Sequence, residues 1–159
     1  MIRVVLTVLV AVALLATSLP ALENARTATT VERLDTEAER VERAVDGVVS
    51  GSVAVENPSL AARTTTTVRV PSGITAAPVE RIALVDGGGP TGAEGPEHVS
   101  LRYRLDGGPD RVVSVVPTAL PASVTVVGEE VVLRTSGESR IQLRLVDDDG
   151  PTVEIARAG

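Results

Sequence analysis

Three hydrophobic patterns follow one another along the chain, and each predicts a different element. From Val4 to Leu22 every residue is apolar, or small and uncharged. At about 1.5 Å rise per residue this run of about 19 residues spans about 28 Å, close to the thickness of a bilayer's hydrocarbon core. It predicts a membrane helix, 1–22, with Val4, Leu6, Leu9, Leu14, Leu15, Leu19 and Leu22 as its lipid-facing anchors. The same residues also fit a cleaved secretory signal: Arg3 opens it, Val4–Ala16 forms its apolar centre, and Ala16-Thr17-Ser18 offers a small-x-small site with the cut after Ser18. A retained signal-anchor is the favoured expectation, because helical periodicity resumes directly after Glu23. With Arg3 on the short side, the rest of the chain then lies outside the cell membrane as a single-pass protein; cleavage would make it a secreted one.

From Asn24 to about Asp46 the pattern becomes amphipathic. Val31, Leu34, Ala38, Val41 and Val45 recur at spacings of three and four, while acids and arginines fill the other faces. Residues 23–50 therefore predict a helical spine. Thr29 or Thr30 would cap a fresh start, and Asp46-Gly47 followed by Ser50-Gly51-Ser52 would stop it. Glu39 and Arg43 form an i,i+4 pair in the favourable order. Two packings of the stripe are open: against the chain's own sheet, or against other copies or the helices of a membrane assembly. Fewer than four heptads with an alanine in the seam do not make a strong autonomous coiled coil.

Beyond Gly51 the period shortens to two, and residues 51–159 predict a β-rich domain. Ser52–Glu56, Thr64–Val70, Val79–Val85, His98–Leu105, Arg111–Val116, Ser123–Val127, Val131–Thr135, Ser139–Val146 and Thr152–Ala156 are the candidate strands. His98–Leu105 alternates most cleanly, with Val99, Leu101, Tyr103 and Leu105 on one face and Ser100, Arg102 and Arg104 on the other. Asp106-Gly107-Gly108-Pro109, Gly128-Glu129-Glu130 and Asp147–Pro151 are hairpin signals, Pro117 and Pro121 bracket a break, and Asp86–Pro96 is a glycine-rich loop. The expected fold is α+β, mainly β: a transmembrane helix continuing into an amphipathic helix, then an antiparallel β-sandwich or open barrel.

Composition sharpens this picture. There is no cysteine, so neither disulfides, thiolate metal sites nor a lipid-attachment thiol is available. Phe and Trp are absent and Tyr103 is the one aromatic residue, which leaves aliphatic side chains to build the core. All 15 positive residues are arginine against 21 acids, for a net charge of −6. That balance argues against a nucleic-acid partner, which would require a basic face and stacking aromatics. Arg102, Arg104, Arg140 and Arg144 fall on wet strand faces, where cross-strand acids are their expected partners.

The chemistry-bearing residues are few. His98 is the lone histidine, and no G-x-S-x-G elbow precedes Ser100. Zinc would need three or four nitrogen or sulfur ligands. Asp147-Asp148-Asp149-Gly150 has carboxylates to attract a cation but lacks the spaced ligands of a calcium loop, so a hydrated turn is expected. Gly87-Gly88-Gly89-Pro90-Thr91-Gly92 has the glycines of a phosphate loop without its Lys-Ser/Thr or its helix. No cofactor, metal or enzymatic activity is expected.

The plan of Met1–Gly47, together with the lysine-free acidic composition, resembles small haloarchaeal single-pass membrane proteins with a type IV pilin or pseudopilin-like plan. The resemblance implies a non-enzymatic structural or interaction protein that accompanies a pilus-like or secretion-like surface assembly. It departs from prepilins in two places: Met1-Ile2-Arg3 carries no glycine cleavage site, and the first acid is Glu23 rather than one early in the apolar run. An accessory component is therefore implied, not a filament-forming major pilin. A surface binding module for a polysaccharide or a cation is the alternative expectation.

Overall fold

The computed structural model describes residues 2–87, 98–115 and 122–158. The helix α1 is continuous over Ile2–Gly51, 50 residues, or about 75 Å at 1.5 Å per residue. No new start occurs at Thr29 or Thr30. The stop signal at Asp46-Gly47 is overrun because Val48 and Val49 are buried beyond it. Their burial outweighs the roughly 1 kcal/mol that a helical glycine costs relative to alanine. Gly47 itself faces open space.

Eight strands follow among the described residues, β1 (Arg63–Val70), β2 (Val79–Asp86), β3 (Val99–Leu105), β4 (Asp110–Val115), β5 (Ser123–Val126), β6 (Glu130–Val132), β7 (Gly137–Asp147) and β8 (Pro151–Arg157). They form two four-stranded sheets, one in the order β1-β7-β8-β5 and the other β4-β3-β2-β6. The fold is thus α+β, mainly β, an open sandwich and not a closed barrel. Most predicted strands appear within a residue or two of their expected bounds. Ser52–Glu56 is reduced to a single bridge between Val55 and Val146. The loop Asp86–Pro96 beyond Gly87, and the break at Pro117 and Pro121, lie outside the described residues.

Alternation places Val68 and Val70 of β1, Ile141, Leu143 and Leu145 of β7 and Val153 and Ile155 of β8 on the inner face of the first sheet. They meet Ile82 and Leu84 of β2 and Val99, Leu101 and Tyr103 of β3, in one aliphatic core with Tyr103 as its largest buried side chain. The helix joins this core. Leu34, Ala38, Val41 and Val45 are all at most 2% exposed, and Val31 packs partly buried beside them. The stripe offered to a partner helix is therefore spent inside the domain. The cause is geometric: α1 contacts β1 at the edge of one sheet and β4 at the edge of the other, closing the side on which the sandwich would otherwise open its core to water.

The hairpin expected around Gly128-Glu129-Glu130 does not form. β5 lies parallel to β8, the one parallel pair among the named strands, while β6 lies antiparallel to β2, so the chain crosses from one sheet to the other. Gly128, at φ +99°, makes the change of direction. The apolar positions require it, since Val124 and Val126 are buried against Val153 and Ile155 while Val131 is buried opposite Leu84. A crossover and a hairpin share the same turn chemistry, and only the partners distinguish them.

Candidate functional site

The feature that organises the molecule is the division of α1 into a bare half and a seated half. Over Ile2–Leu22 every large apolar side chain is exposed, Val4, Leu6, Leu9, Leu14, Leu15, Leu19 and Leu22 among them. None of the most apolar stretch of α1 is covered by the domain, and its length and composition suffice to cross a membrane. A membrane helix and a signal sequence near an N-terminus both carry exposed apolar surface of this kind. Within the run, Leu14's carbonyl accepts the hydroxyls of both Thr17 (2.9 Å) and Ser18 (2.8 Å), so these polar groups are satisfied inside the helix. Pro20 lacks an N–H, which leaves Ala16's carbonyl without its usual helical donor.

The seated half is fixed by two polar struts as well as by the apolar stripe. Thr30 is fully buried, and its hydroxyl oxygen accepts the N–H of Ala77 at 2.8 Å. Glu37 is 7% exposed; its Oε2 accepts the N–H of Arg69 at 3.0 Å, and its Oε1 pairs with the Arg40 guanidinium at 3.2 Å. The two contacts fix direction. Ascending the helix from Thr30 to Glu37 corresponds to descending the chain from Ala77 to Arg69, so β1 runs back toward the apolar half. β7, antiparallel to β1, runs away from it and ends at Asp147, beside Val55 beyond the far end of α1. About 12 Å of helix separates Leu22 from Thr30, where the domain begins to cover it.

Beside this seat, residues Asn24, Thr27, Val31, Asp35 and Glu39 of α1 and Arg111 of β4 line an open cleft of about 650 Å³. Burial pushes the Asp35 carboxyl above its usual range, opposed by the Arg111 guanidinium and reinforced by the charge of Glu39. Tyr103, opposite Arg111 in the ladder, has its phenol pushed up by burial and by the negative charge of Asp35, again opposed by Arg111. Asp35 of the helix and Tyr103 and Arg111 of the sheet thus face one another at the junction of helix and sheet.

The remaining candidates separate. His98 and Ser100 share a face of their strand, but Ser100 is fully buried and not wet as its alternation suggested. Neither His98 Nδ1 nor Ser100 Oγ has a hydrogen-bond partner among the described residues. Asp147–Asp149 forms a tight turn, with Asp147 Oδ1 accepting the Gly150 N–H at 3.1 Å and Asp149 at φ 56°. Among the described residues no three metal-ligating side chains converge. Arg104 forks onto Asp110 at 2.8 and 2.9 Å, and Arg144 pairs with Glu154, as cross-strand chemistry predicts. Arg102 and Arg104 lie in one sheet and Arg140 and Arg144 in the other, so the four do not make a common patch.

Sequence reasoning missed Thr30, Glu37 and Asp86. The signal for the first two was present: Thr30, Leu34, Glu37, Val41, Val45 and Val48 continue the spacing of four and three, so two polar residues stand within the buried stripe. Asp86, at the end of β2, accepts the N–H of Val126 at 2.7 Å and the Thr125 hydroxyl at 3.0 Å. It thereby ties the outer edge of one sheet to the other, and no local pattern announces it.

A helix that is half bare and half built into an open sandwich defines a small domain carried on an apolar N-terminal helix. Residues 1–158 match the family described as a domain of unknown function (DUF7311), and the chain belongs to that family. No curated protein and no solved structure matches it.

Proposed function

We propose that this chain is a non-enzymatic, single-pass membrane protein whose β domain stands outside the cell as a structural or interaction component of a pilus-like or secretion-like surface assembly. The observation that carries the reading is the continuity of α1, with its apolar first half uncovered and its second half locked into the domain core. Such a helix holds the domain at a fixed height and orientation above a bilayer. Partners in the assembly meet the uncovered apolar half or the polar side of the spine, because the Leu34–Val45 stripe is already occupied. The absence of lysine, the net charge of −6 and the pilin-like plan favour the same setting.

Fractionation of the source cells tests it. Full-length chain, by intact mass, in salt-washed membranes supports the anchored reading, and crosslinks from the polar side of 24–47 to other membrane proteins support the assembly role. A product beginning near Leu19 and confined to the medium would overturn both.

A further inference from the structure

We propose that the cleft between Arg134, Arg140 and Arg157 is a binding site for a small multivalent oxyanion, a polycarboxylate or phosphate. The cleft, of about 480 Å³, opens where the chain passes from β6 into β7, and Glu138, Ser139 and Ala158 complete its lining. That volume lies in the range of ordinary small-ligand sites.

The backbone positions of the three arginines are set by bonds at a single node. Arg134 donates its N–H to Ser139 Oγ at 2.8 Å, Ala158 donates its N–H to the carbonyl of Arg140 at 3.1 Å, and Arg157 stands opposite Ile141 in the β7–β8 register. Yet none of the three guanidinium groups has an ion-pair or hydrogen-bond partner among the described residues. Four other arginines on the sandwich are matched, Arg69 with Glu138, Arg81 with Glu130, Arg104 with Asp110 and Arg144 with Glu154, whereas Arg63, Arg102 and Arg111 likewise have no ion pair among the described residues. Glu138, the only acidic side chain lining the cleft among the described residues, is held by Arg69 at 2.9 Å and so is already engaged.

Three guanidinium groups without a partner among the described residues line one concavity, in a chain of net charge −6 where acids are in surplus. The guanidinium fork suits carboxylate and phosphate oxygens bidentately, and a ligand with two or more negative groups engages more than one fork at once. The site needs no aromatic platform, which this sequence could not supply.

The test is calorimetric titration of the full-length chain in zwitterionic nanodiscs at low ionic strength, with citrate and inorganic phosphate as separate probes. Saturable binding at one site is expected, weakened about tenfold by Arg140→Gln and by Arg134→Gln, since each removes a charge-assisted fork. Arg140→Lys, which keeps charge without the fork, should fall between. Arg43→Gln on the helix and Arg63→Gln on β1 remove equal charge elsewhere and should leave binding unchanged. Preference for citrate over phosphate would identify a carboxylate ligand, and the reverse a phosphate one. No saturable binding of either probe, or an equal loss in all four glutamine variants, would overturn the proposal. Unchanged thermal unfolding of the variants without ligand separates lost binding from lost fold.

Discussion

The carboxylate of Glu37 accepts the backbone N–H of Arg69 at 3.0 Å across 32 positions of sequence. Arg69 belongs to β1, an edge strand, and its N–H would otherwise be an unpaired donor at the junction with α1. A buried acid on the helix thus completes the hydrogen bonding of a sheet edge. Removing the acceptor leaves a partly buried donor unsatisfied, which costs about 1–3 kcal/mol. Glu37→Ala should lower unfolding stability by that amount in urea titrations of the full-length chain, with Glu37→Gln retaining part of the bond through its amide oxygen.

Asp86 performs the same task at the opposite edge, where β5 presents the N–H of Val126. Glu37 and Asp86 sit on different elements and share no partner. Asp86→Ala is expected to cost about 1–3 kcal/mol, and the double variant should show the sum within about 0.5 kcal/mol. A sum that fails would mean the two edges open together.

The helix stripe offers a labelling experiment, because the native chain has no cysteine. Single cysteines at Leu34, Val41 and Val45 should react with a water-soluble maleimide far more slowly than cysteines at Thr36 and Arg43, which are exposed. Fast labelling at Leu34 would show that the helix leaves its seat. In the same positions Leu34→Ala should cost about 2–5 kcal/mol as a cavity in the core.

Two aspartates give opposite dependences on pH. Asp110 is held below its usual value of 3.8, chiefly by the hydrogen-bonded Arg104 guanidinium. Its contribution is present above that value and is lost as pH falls through the folded pKa. Asp35 is raised, chiefly by burial, so the folded state holds its proton longer and stability falls as pH rises through that window. Comparing thermal unfolding near pH 3 and pH 7, Asp110→Asn should lose stability at pH 7 and approach the native chain at acid pH. Asp35→Asn should gain stability relative to the native chain at pH 7, and that gain should shrink at acid pH.

The apolar run, the amphipathic spine and the strands could be read locally because burial imposes a period on each. Val99, Leu101, Tyr103 and Leu105 announce a strand whatever it pairs with. Pairing itself could not be read, and Gly128 shows why: the same turn chemistry serves a hairpin and a crossover, and the choice rests on Val124 and Val131 facing different sheets. The spine's partner was likewise open, since a stripe of Leu34, Ala38, Val41 and Val45 fits a sheet as well as a helix. Arg134, Arg140 and Arg157 are separated in sequence and meet only through the β6–β7 connection, so no spacing rule marks their cleft.

An unbroken α1 makes the molecule a lever. The helix advances about 100° per residue, and nothing between Leu22 and Thr30 absorbs a rotation. A turn or tilt of the apolar half is therefore delivered to the sandwich, and with it to the Asp147–Asp149 turn beside Val55, beyond the far end of α1. Any partner that grips the first half of the helix sets the bearing of the domain's distal surface without touching it.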